Sequence, residues 1–180
     1  MKATRLLLSL FAVISLSIAV SCGGAAPAAE PTPTPTPAIT AIHQGNITFV
    51  EAFCTRVIDG DTIDVIINGT EYRVRYIGID TAEMDDERSA YRTLAEEAKQ
   101  ANIRLVEGKN ISLQKDVSET DRYGRLLRYV FDGTTFVNLV LVADGHAWAV
   151  SYPPDTMYDS LFAELQTAAQ ADKLGVWQLP

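Results

Sequence analysis

Cysteine and histidine are scarce in this 180-residue chain, which contains two of each. Cys54 is the only cysteine after Cys22, so a folded domain downstream of that point has no disulfide framework. Cys54 lies in a strand-like run with no histidine nearby in sequence to activate it, and we interpret it as a buried structural thiol. His43 and His146 have no cysteine or carboxylate partner at metal-ligand spacing, and we interpret both as structural or exposed.

Basic side chains are also few, with 15 Lys and Arg against 23 Asp and Glu. Loss of an N-terminal signal with Lys2 and Arg5 would leave 13 basic groups and a net charge near −10. Proteins that bind nucleic acid tightly without sequence preference are usually basic, because neutralising phosphates drives their affinity. Tight binding of that kind is therefore not expected here.

One long apolar run occurs, from Leu6 to Val20, directly after Lys2 and Arg5. It is too short for a comfortable membrane span and is typical of a secretory signal, so residues 1–21 are predicted to be a signal peptide. The stretch 19–22, Ala-Val-Ser-Cys, resembles a bacterial lipobox, which predicts a lipid on Cys22 and an anchor to the outer face of a bacterial membrane. An ordinary signal peptide, with Cys22 as an incidental thiol and the protein secreted, remains the alternative.

Residues 22–43 are predicted to form a disordered tether that follows the lipobox cysteine. Proline and threonine alternate from Pro31 to Pro37, which favours extended polyproline II at roughly 3 Å per residue. Residues 44–180 then form a single domain without an internal repeat, and we predict a monomer.

Strand and helix signals alternate along this domain. Asn68-Gly69 separates two strand-like runs and is typical of a tight hairpin. The predicted strands are Phe49–Ile58, Thr62–Ile67, Glu71–Ile79, Asn110–Lys115 and Leu126–Phe131, and the predicted helices are Ser89–Val106, Phe136–Ala143 and Tyr158–Asp172. Strands this short must close into a barrel to avoid exposed edges. We predict a mainly β, α+β fold, a five-stranded Greek-key barrel of the OB type with three packed helices.

Three charged clusters stand out in this domain. They are Asp59-Gly60-Asp61-Thr62, Arg75 to Glu83, and Asp121 to Arg125. The first two bring four carboxylates into 25 residues, and such a cluster repels itself unless a cation compensates it. Aspartate and backbone oxygens suit calcium or magnesium rather than zinc. A metal, two arginines and a remaining glutamate are the groups needed for attack on a phosphate.

The order and spacing of these clusters resemble the thermonuclease (staphylococcal nuclease) family. The motifs are Asp-Gly-Asp-Thr, then Arg-x4-Asp-Thr-x-Glu, then Asp-x-Tyr-Gly-Arg-Leu, and weaker similarities include Val137-Asn138 and Gly175-Val176-Trp177. The resemblance runs from about Val57 to Trp177. It implies an OB-fold, one bound calcium ion and hydrolysis of DNA and RNA phosphodiesters.

The resemblance also implies a role for each matching residue. Calcium would be held by the carboxylates of Asp61 and Asp80 and by the main-chain carbonyl of Thr81, with Asp59 outside the ligand set. Glu83 corresponds to the proposed general base, which takes a proton from the attacking water. Arg75 and Arg125 match the guanidinium groups that clamp the phosphate in the transition state.

Two positions depart from the family pattern. Ala82 stands where proline is usual between the threonine and the glutamate, and alanine does not preset the backbone. We therefore expect a looser Glu83 loop and lower turnover. Ala95 replaces a common glycine in the first helix, which we expect to be tolerated.

Other residues have two interpretations. Tyr123 either reaches a phosphate oxygen or packs, and Tyr152 and Tyr158 are candidates for lining a base pocket. Trp148 and Trp177 are interpreted as core residues, and Asp85, Asp86 and Glu87 as the start of a helix rather than ligands.

Two functions follow from these interpretations. The first is a calcium-dependent extracellular nuclease that prefers flexible or single-stranded DNA and RNA, because general charge repulsion weakens substrate binding. The alternative is a non-catalytic OB module that binds nucleic acid or oligosaccharide at the cell surface.

Overall fold

The computed structural model describes residues 48–179 of the chain. The predicted signal peptide, Cys22, the tether and His43 lie outside the described residues, as do the first residues of the predicted domain. The described residues fall in one compact unit, His43–Pro180. None of the helices described between residues 48 and 179 has the length and apolar character required to span a membrane.

The described part of the chain contains eight strands, three α-helices and a final 3-10 helix. The strands are β1 (Phe49–Val57), β2 (Thr62–Ile67), β3 (Thr70–Tyr76), β4 (Ile79–Asp80), β5 (Asn110–Gln114), β6 (Leu126–Asp132), β7 (Thr135–Phe136) and β8 (Trp148–Ala149). The helices are α1 (Ser89–Val106), α2 (Val137–Ala143), α3 (Asp159–Ala171) and the 3-10 turn Gly175–Gln178.

Five of the strands close into a barrel. β1 pairs antiparallel with β2 and β5, β2 with β3, and β5 with β6. The barrel closes where β3 and β6 pair in parallel, with Val74 opposite Leu126. Ile63, Val65 and Val74 face inward and are fully buried, as the two-residue period of a strand requires. The predicted five-stranded OB-type barrel with three helices is confirmed.

The hairpin between β2 and β3 forms at the predicted residues. Asn68 and Gly69 both have positive φ, 49° and 82°, as in the hairpin turns that asparagine and glycine favour. This turn sets the register in which Thr62 lies opposite Arg75 and Asp64 opposite Arg73.

The predicted strand 71–79 is wrong in its extent, because the chain turns at Gly78. Gly78 has a φ of +79°, and a β-carbon there would collide with the ring of Phe162 on α3. After this turn, β4 pairs with β8 and places Asp80 opposite Trp148. The two-residue strands are too short to give a periodic signal in the sequence.

Helix α1 has the predicted bounds. Its buried residues are Ala95, Ala98, Ala101, Asn102 and Val106. The first turn contains no acidic residue, since Asp85, Asp86 and Glu87 precede it and Asp86 pairs with Arg88. The small side chains on the buried face let α1 approach the barrel closely.

Cys54 confirms its predicted structural role. It is completely buried in β1, and burial raises the pKa of its thiol to about 11. A thiol in that environment stays protonated and unreactive at neutral pH.

Candidate active site

The turn between β1 and β2 needs glycine at position 60. A β-carbon on Gly60 would lie 2.7 Å from Thr81 Cγ2 and 2.8 Å from the Ala98 β-carbon. Because Gly60 has no side chain, α1 and the segment after β4 both pack against this turn. The close approach brings Thr81 next to Asp61.

The Asp61 carboxylate is buried and fully engaged. Its Oδ2 accepts hydrogen bonds from the Thr81 amide at 2.9 Å and from the Thr81 hydroxyl at 3.1 Å. Its Oδ1 accepts from the Thr62 hydroxyl at 3.2 Å and forms an ion pair with Arg75 Nη1. Asp61 thereby joins the start of β2 to the residues that follow β4.

Arg75 connects the two predicted calcium-binding aspartates. Its Nη2 donates to Asp80 Oδ1 at 2.5 Å while its Nη1 pairs with Asp61, and the side chain is only 15% exposed. The repulsion expected between these carboxylates is therefore offset by a guanidinium. We name Asp61, Arg75 and Asp80 the Arg75 cluster.

Asn102 supports this cluster from α1 and was not predicted. Its Nδ2 donates to the Asp59 carbonyl at 3.1 Å, and its Oδ1 accepts from the Tyr76 hydroxyl at 2.9 Å. The sequence feature that could have indicated this role is an amide side chain on the apolar face of α1, four residues after Ala98. Asp59 itself lies beside the cluster, and burial raises the pKa of its carboxyl.

Glu83 lies in the acidic loop, residues 81–88, directly after β4. Its side chain is exposed and has no hydrogen bond or ion pair among residues 48–179. Partial desolvation raises the pKa of its carboxyl, and the nearby charges of Asp59, Asp80 and Asp85 raise it further while Arg75 opposes them. Glu83 is therefore close enough to the Arg75 cluster to interact with its charges.

Arg125 is positioned by the residues of its own turn. Asp121 Oδ2 accepts from Arg125 Nε at 2.6 Å, and Asp121 Oδ1 accepts from the amides of Tyr123 and Arg125 at 2.9 and 3.0 Å. The buried Arg128 also holds this segment, since its guanidinium bonds the Glu119 carboxylate and carbonyl. The role of Arg128 was not predicted, because it depends on a contact across the loop.

The two predicted phosphate-binding arginines line one cavity of about 440 Å³. Tyr123 and Tyr152, which are 68% and 62% exposed, line the same cavity. Because Tyr123 is so exposed, it does not pack into the core. Its hydroxyl accepts a hydrogen bond from Arg122 Nη2 at 2.6 Å. Tyr158 is buried and donates to Gln114 Oε1 at 3.0 Å, so its interpretation as a base-pocket residue is wrong.

The tryptophans and His146 lie away from this cavity. Trp148 and Trp177 are half-buried, and Trp148 stacks on Tyr91 of α1 with ring centroids 6.4 Å apart. His146 is half-buried, and burial lowers its pKa.

The donor chemistry of the Arg75 cluster suits a hard cation. Two carboxylates converge on one guanidinium, and the main chain of Thr81 lies against one of them. The carboxylates of Asp61 and Asp80 offer oxygen ligands, as calcium prefers. Among residues 48–179, no group of three or more His, Cys, Asp or Glu side chains is arranged to hold a metal. A metal here would depend on the two aspartates, the main chain and water.

Comparison with known proteins identifies the family. The family model described as staphylococcal nuclease homologue matches residues 73–179. The thermonuclease of Staphylococcus intermedius is 35% identical over 123 residues, which cover 68% of this chain and 73% of the relative. The thermonuclease of Staphylococcus hyicus is 36% identical over 122 residues, covering 68% and 72%. Endonuclease YncB of Bacillus subtilis is 39% identical over 124 residues, covering 68% of this chain and 59% of the relative.

The chain belongs to the staphylococcal nuclease family. The family match includes Arg75, Asp80, Thr81, Glu83 and Arg125, while Asp61 precedes its first residue. The barrel nevertheless brings Asp61 into contact with Arg75 and Thr81, so Asp61 lies together with the matched residues Arg75 and Asp80.

Proposed function

We propose that this chain is a calcium-dependent extracellular nuclease that hydrolyses phosphodiester bonds of DNA and RNA. The enzyme class rests on the family: the chain is a phosphodiester-hydrolysing nuclease whose substrate is nucleic acid. Calcium, the individual residue roles and the extracellular location are the parts that the following arguments and experiments address.

One observation carries the site assignment, namely that Arg75 and Arg125 line the same cavity. They come from elements far apart in the chain, β3 and the turn before β6, yet both guanidinium groups border a space of about 440 Å³. A phosphate in that space would accept hydrogen bonds from two planar donors. Such donors stabilise a transition state in which negative charge spreads over the phosphate oxygens.

The turn geometry prepares Arg125 for this role. Asp121 engages Arg125 through Nε, which leaves both terminal nitrogens for the phosphate. Arg75 is held differently, because Asp61 and Asp80 occupy both of its terminal nitrogens. We infer that phosphate competes with these aspartates for Arg75.

Asp61, Asp80 and the Thr81 carbonyl would hold calcium. When bound, the ion supplies positive charge beside the phosphate and lowers the pKa of a coordinated water. The proposal is supported by the oxygen-only donor set and by the convergence of two carboxylates on one positive group. If Asp61 and Asp80 bound calcium instead of Arg75, the Arg75 guanidinium would be available to the substrate.

Glu83 would act as the general base. Its raised pKa makes it a stronger base than an ordinary glutamate, and its exposed side chain is accessible to water. A base of this kind accepts the proton of the attacking water as the new phosphorus–oxygen bond forms.

The charge of the chain limits the substrate. With 23 acidic against 15 basic side chains, general attraction to polyanions is absent, so binding depends on local arginines. We therefore expect preference for single-stranded or flexible DNA and RNA, which can adapt to one site.

The test is hydrolysis of denatured DNA and of RNA by the full chain, with calcium and with excess chelator. We expect cleavage with calcium and none with chelator. Equal rates in the two conditions would sink the calcium assignment. Binding without cleavage under any divalent ion would favour the alternative, a non-catalytic OB module.

The location is tested separately. We propose that Cys22 carries a lipid which anchors the domain outside a bacterial membrane, as the lipobox-like stretch 19–22 and the proline-rich tether suggest. The full chain should partition into the detergent phase, and Cys22→Ala should move it to the aqueous phase. If both forms remain aqueous, the protein is secreted rather than anchored.

A further inference from the structure

A second cavity of about 620 Å³ lies beside the first and shares two residues with it. Tyr123 and Arg125 line both cavities, and the rest of the second is lined by Arg56, Asp64, Glu71, Tyr72, Arg73 and Gly124. Arg125 thus stands at the junction of the two spaces. Any polymer that extends past Arg125 in this direction meets the second cavity.

Its floor is a row of charged side chains across three strands. Arg56 of β1 lies opposite Asp64 of β2, which lies opposite Arg73 of β3. Ile63 and Val74, which flank this row, are fully buried and face the barrel interior. Arg56, Asp64 and Arg73 therefore face outward, on the same face as Arg75 and one pleat further along, about 7 Å from it along β3.

Asp64 fixes the two arginines of this row. Its Oδ1 accepts from Arg73 Nε at 2.8 Å, and its Oδ2 accepts from Arg73 Nη2 at 3.2 Å and from Arg56 Nη2 at 2.7 Å. The Asp64 side chain is only 6% exposed, whereas those of Arg56 and Arg73 are 64% and 47% exposed. One buried carboxylate thus holds two guanidinium groups whose remaining N–H donors face solvent.

The charge and aromatic content of this surface suit a nucleic-acid strand. The row carries two positive charges and one negative charge, so it remains locally cationic on an acidic chain. Tyr123 is 68% exposed beside it, and an exposed aromatic ring suits stacking with bases of any sequence. Oriented arginines beside aromatic rings are the arrangement used to track single strands.

We propose that the Arg56–Asp64–Arg73 row is an extended substrate site, which binds backbone phosphates of single-stranded nucleic acid beyond the scissile bond. The proposal rests on the proposed function for the location of that bond. It gives an acidic enzyme a local means of holding polymeric substrate without a generally basic surface.

The test measures binding of a fluorescein-labelled 20-nucleotide single-stranded DNA to the full chain, by anisotropy in chelator over a range of salt concentrations. The variants are Arg56→Gln and Arg73→Gln. In each of them, the arginine that remains can still pair with Asp64. We expect each to weaken binding several-fold and to reduce the log–log salt slope by about 0.7, the value for one lost phosphate contact on a single strand. Arg104→Gln is the matched control, because Arg104 is exposed on α1 and lines neither cavity.

A gain-of-binding variant covers the case in which an arginine variant unfolds. Glu71→Gln removes a negative charge from the cavity while keeping every arginine, so it should bind the oligonucleotide about twofold more tightly. Three results would overturn the extended site. Glu71→Gln could bind with the parent affinity, the folded arginine variants could keep the parent salt slope, or Arg104→Gln could lose as much affinity as they do. A parent chain that does not bind the oligonucleotide would also overturn it.

Cleavage separates this proposal from the proposed function. With calcium, the arginine variants should cleave a dinucleotide at the parent rate and the 20-nucleotide strand more slowly. An equal loss on both substrates would overturn the extended site. A parent that binds the oligonucleotide but cleaves neither substrate would instead refute the proposed function and leave the extended site in place.

Discussion

The Arg75 cluster and the acidic loop are adjacent in the chain, but they are held in opposite ways. Arg75 lies on β3 and forms ion pairs with Asp61, which directly precedes β2, and with Asp80. Glu83, three residues after Asp80, lies in a segment without regular structure, and its side chain has no polar contact in the described part of the chain. The groups proposed to bind phosphate and metal are thus joined by ion pairs, whereas the side chain of the proposed base has no partner.

The largest expected effect comes from breaking the cluster with Asp61→Ala. The change removes a proposed calcium ligand and leaves the largely buried Arg75 with one partner instead of two. We expect a higher calcium requirement for half-maximal activity and a loss of unfolding free energy on the order of 3 kcal/mol. Calcium titrations of activity and urea unfolding measure the two effects.

Asp61→Asn is the matched control for this change. It keeps the size of the side chain and an oxygen for the Thr81 amide, so it should retain more stability than Asp61→Ala while still needing more calcium. A calcium requirement equal to that of the parent in both variants would remove Asp61 from the ligand set.

The second prediction tests the loop without disturbing the cluster. Because Glu83 has no partner in the described structure, Glu83→Gln should leave the thermal midpoint and the calcium requirement nearly unchanged. Loss of a general base should reduce kcat by about 10³-fold. Glu87→Gln, another exposed change in the same loop, should leave kcat unchanged.

The raised pKa of Glu83 also predicts the direction in which activity changes with pH. The Glu83 pKa is raised, so its carboxylate becomes protonated at a higher pH than an ordinary glutamate does. The base is available above that pKa and is lost as the pH falls through it. The kcat/KM of the parent should therefore fall on the acidic side, and Glu83→Gln should lack that fall. An identical acidic limb in the variant would assign the limb to another group.

The cluster and the loop also differ in how far the sequence predicts them. The hairpin at Asn68-Gly69 and the run of β-branched residues predict β2 and β3, and therefore the strand that carries Arg75 and the strand that begins directly after Asp61. The ion pairs of Arg75 also depend on the turn at Gly78, which no local pattern specifies. Asn102 was missed for the same reason, since its partners are Asp59 and Tyr76.

The positions of the two arginines were predicted from the sequence, but the contacts that Arg75 makes were not. Motif spacing located Arg75 and Arg125, and the barrel brings them to one cavity although they are separated by 50 positions. That Arg75 is engaged by both aspartates was not predicted, because a metal was expected to compensate the charge of these carboxylates. The ion pairs join residues from separate segments of the chain, which motif spacing alone does not reveal.

The third prediction concerns the second arginine. Arg125→Lys keeps a positive charge but loses the planar fork, so kcat should fall by about 10²-fold while substrate binding weakens little. Arg104→Lys makes the same chemical change far from both cavities and should have no effect. Steady-state kinetics with calcium in excess measure both. An Arg125→Lys variant that cleaves at the parent rate would exclude a bidentate contact in the transition state.

The smallest expected effect comes from stiffening the acidic loop with Ala82→Pro, which restores the residue usual in the family. The Ala82 amide donates no hydrogen bond found among residues 48–179, so proline removes none there. Proline should stabilise the fold by up to about 1 kcal/mol by restricting the unfolded chain. If the same restriction places Glu83 better, turnover should rise by at most about fivefold.

Ala82→Gly is the opposite change at the same position and should lower both stability and turnover. Urea unfolding and kcat for the two variants decide whether loop order limits the reaction. A proline variant that is more stable but no faster would show that the loop already places Glu83 as well as the Arg75 cluster requires, although the Glu83 side chain has no partner in the described structure. A less stable proline variant would mean that the native backbone at position 82, or at Thr81 before it, does not have the conformation that proline imposes.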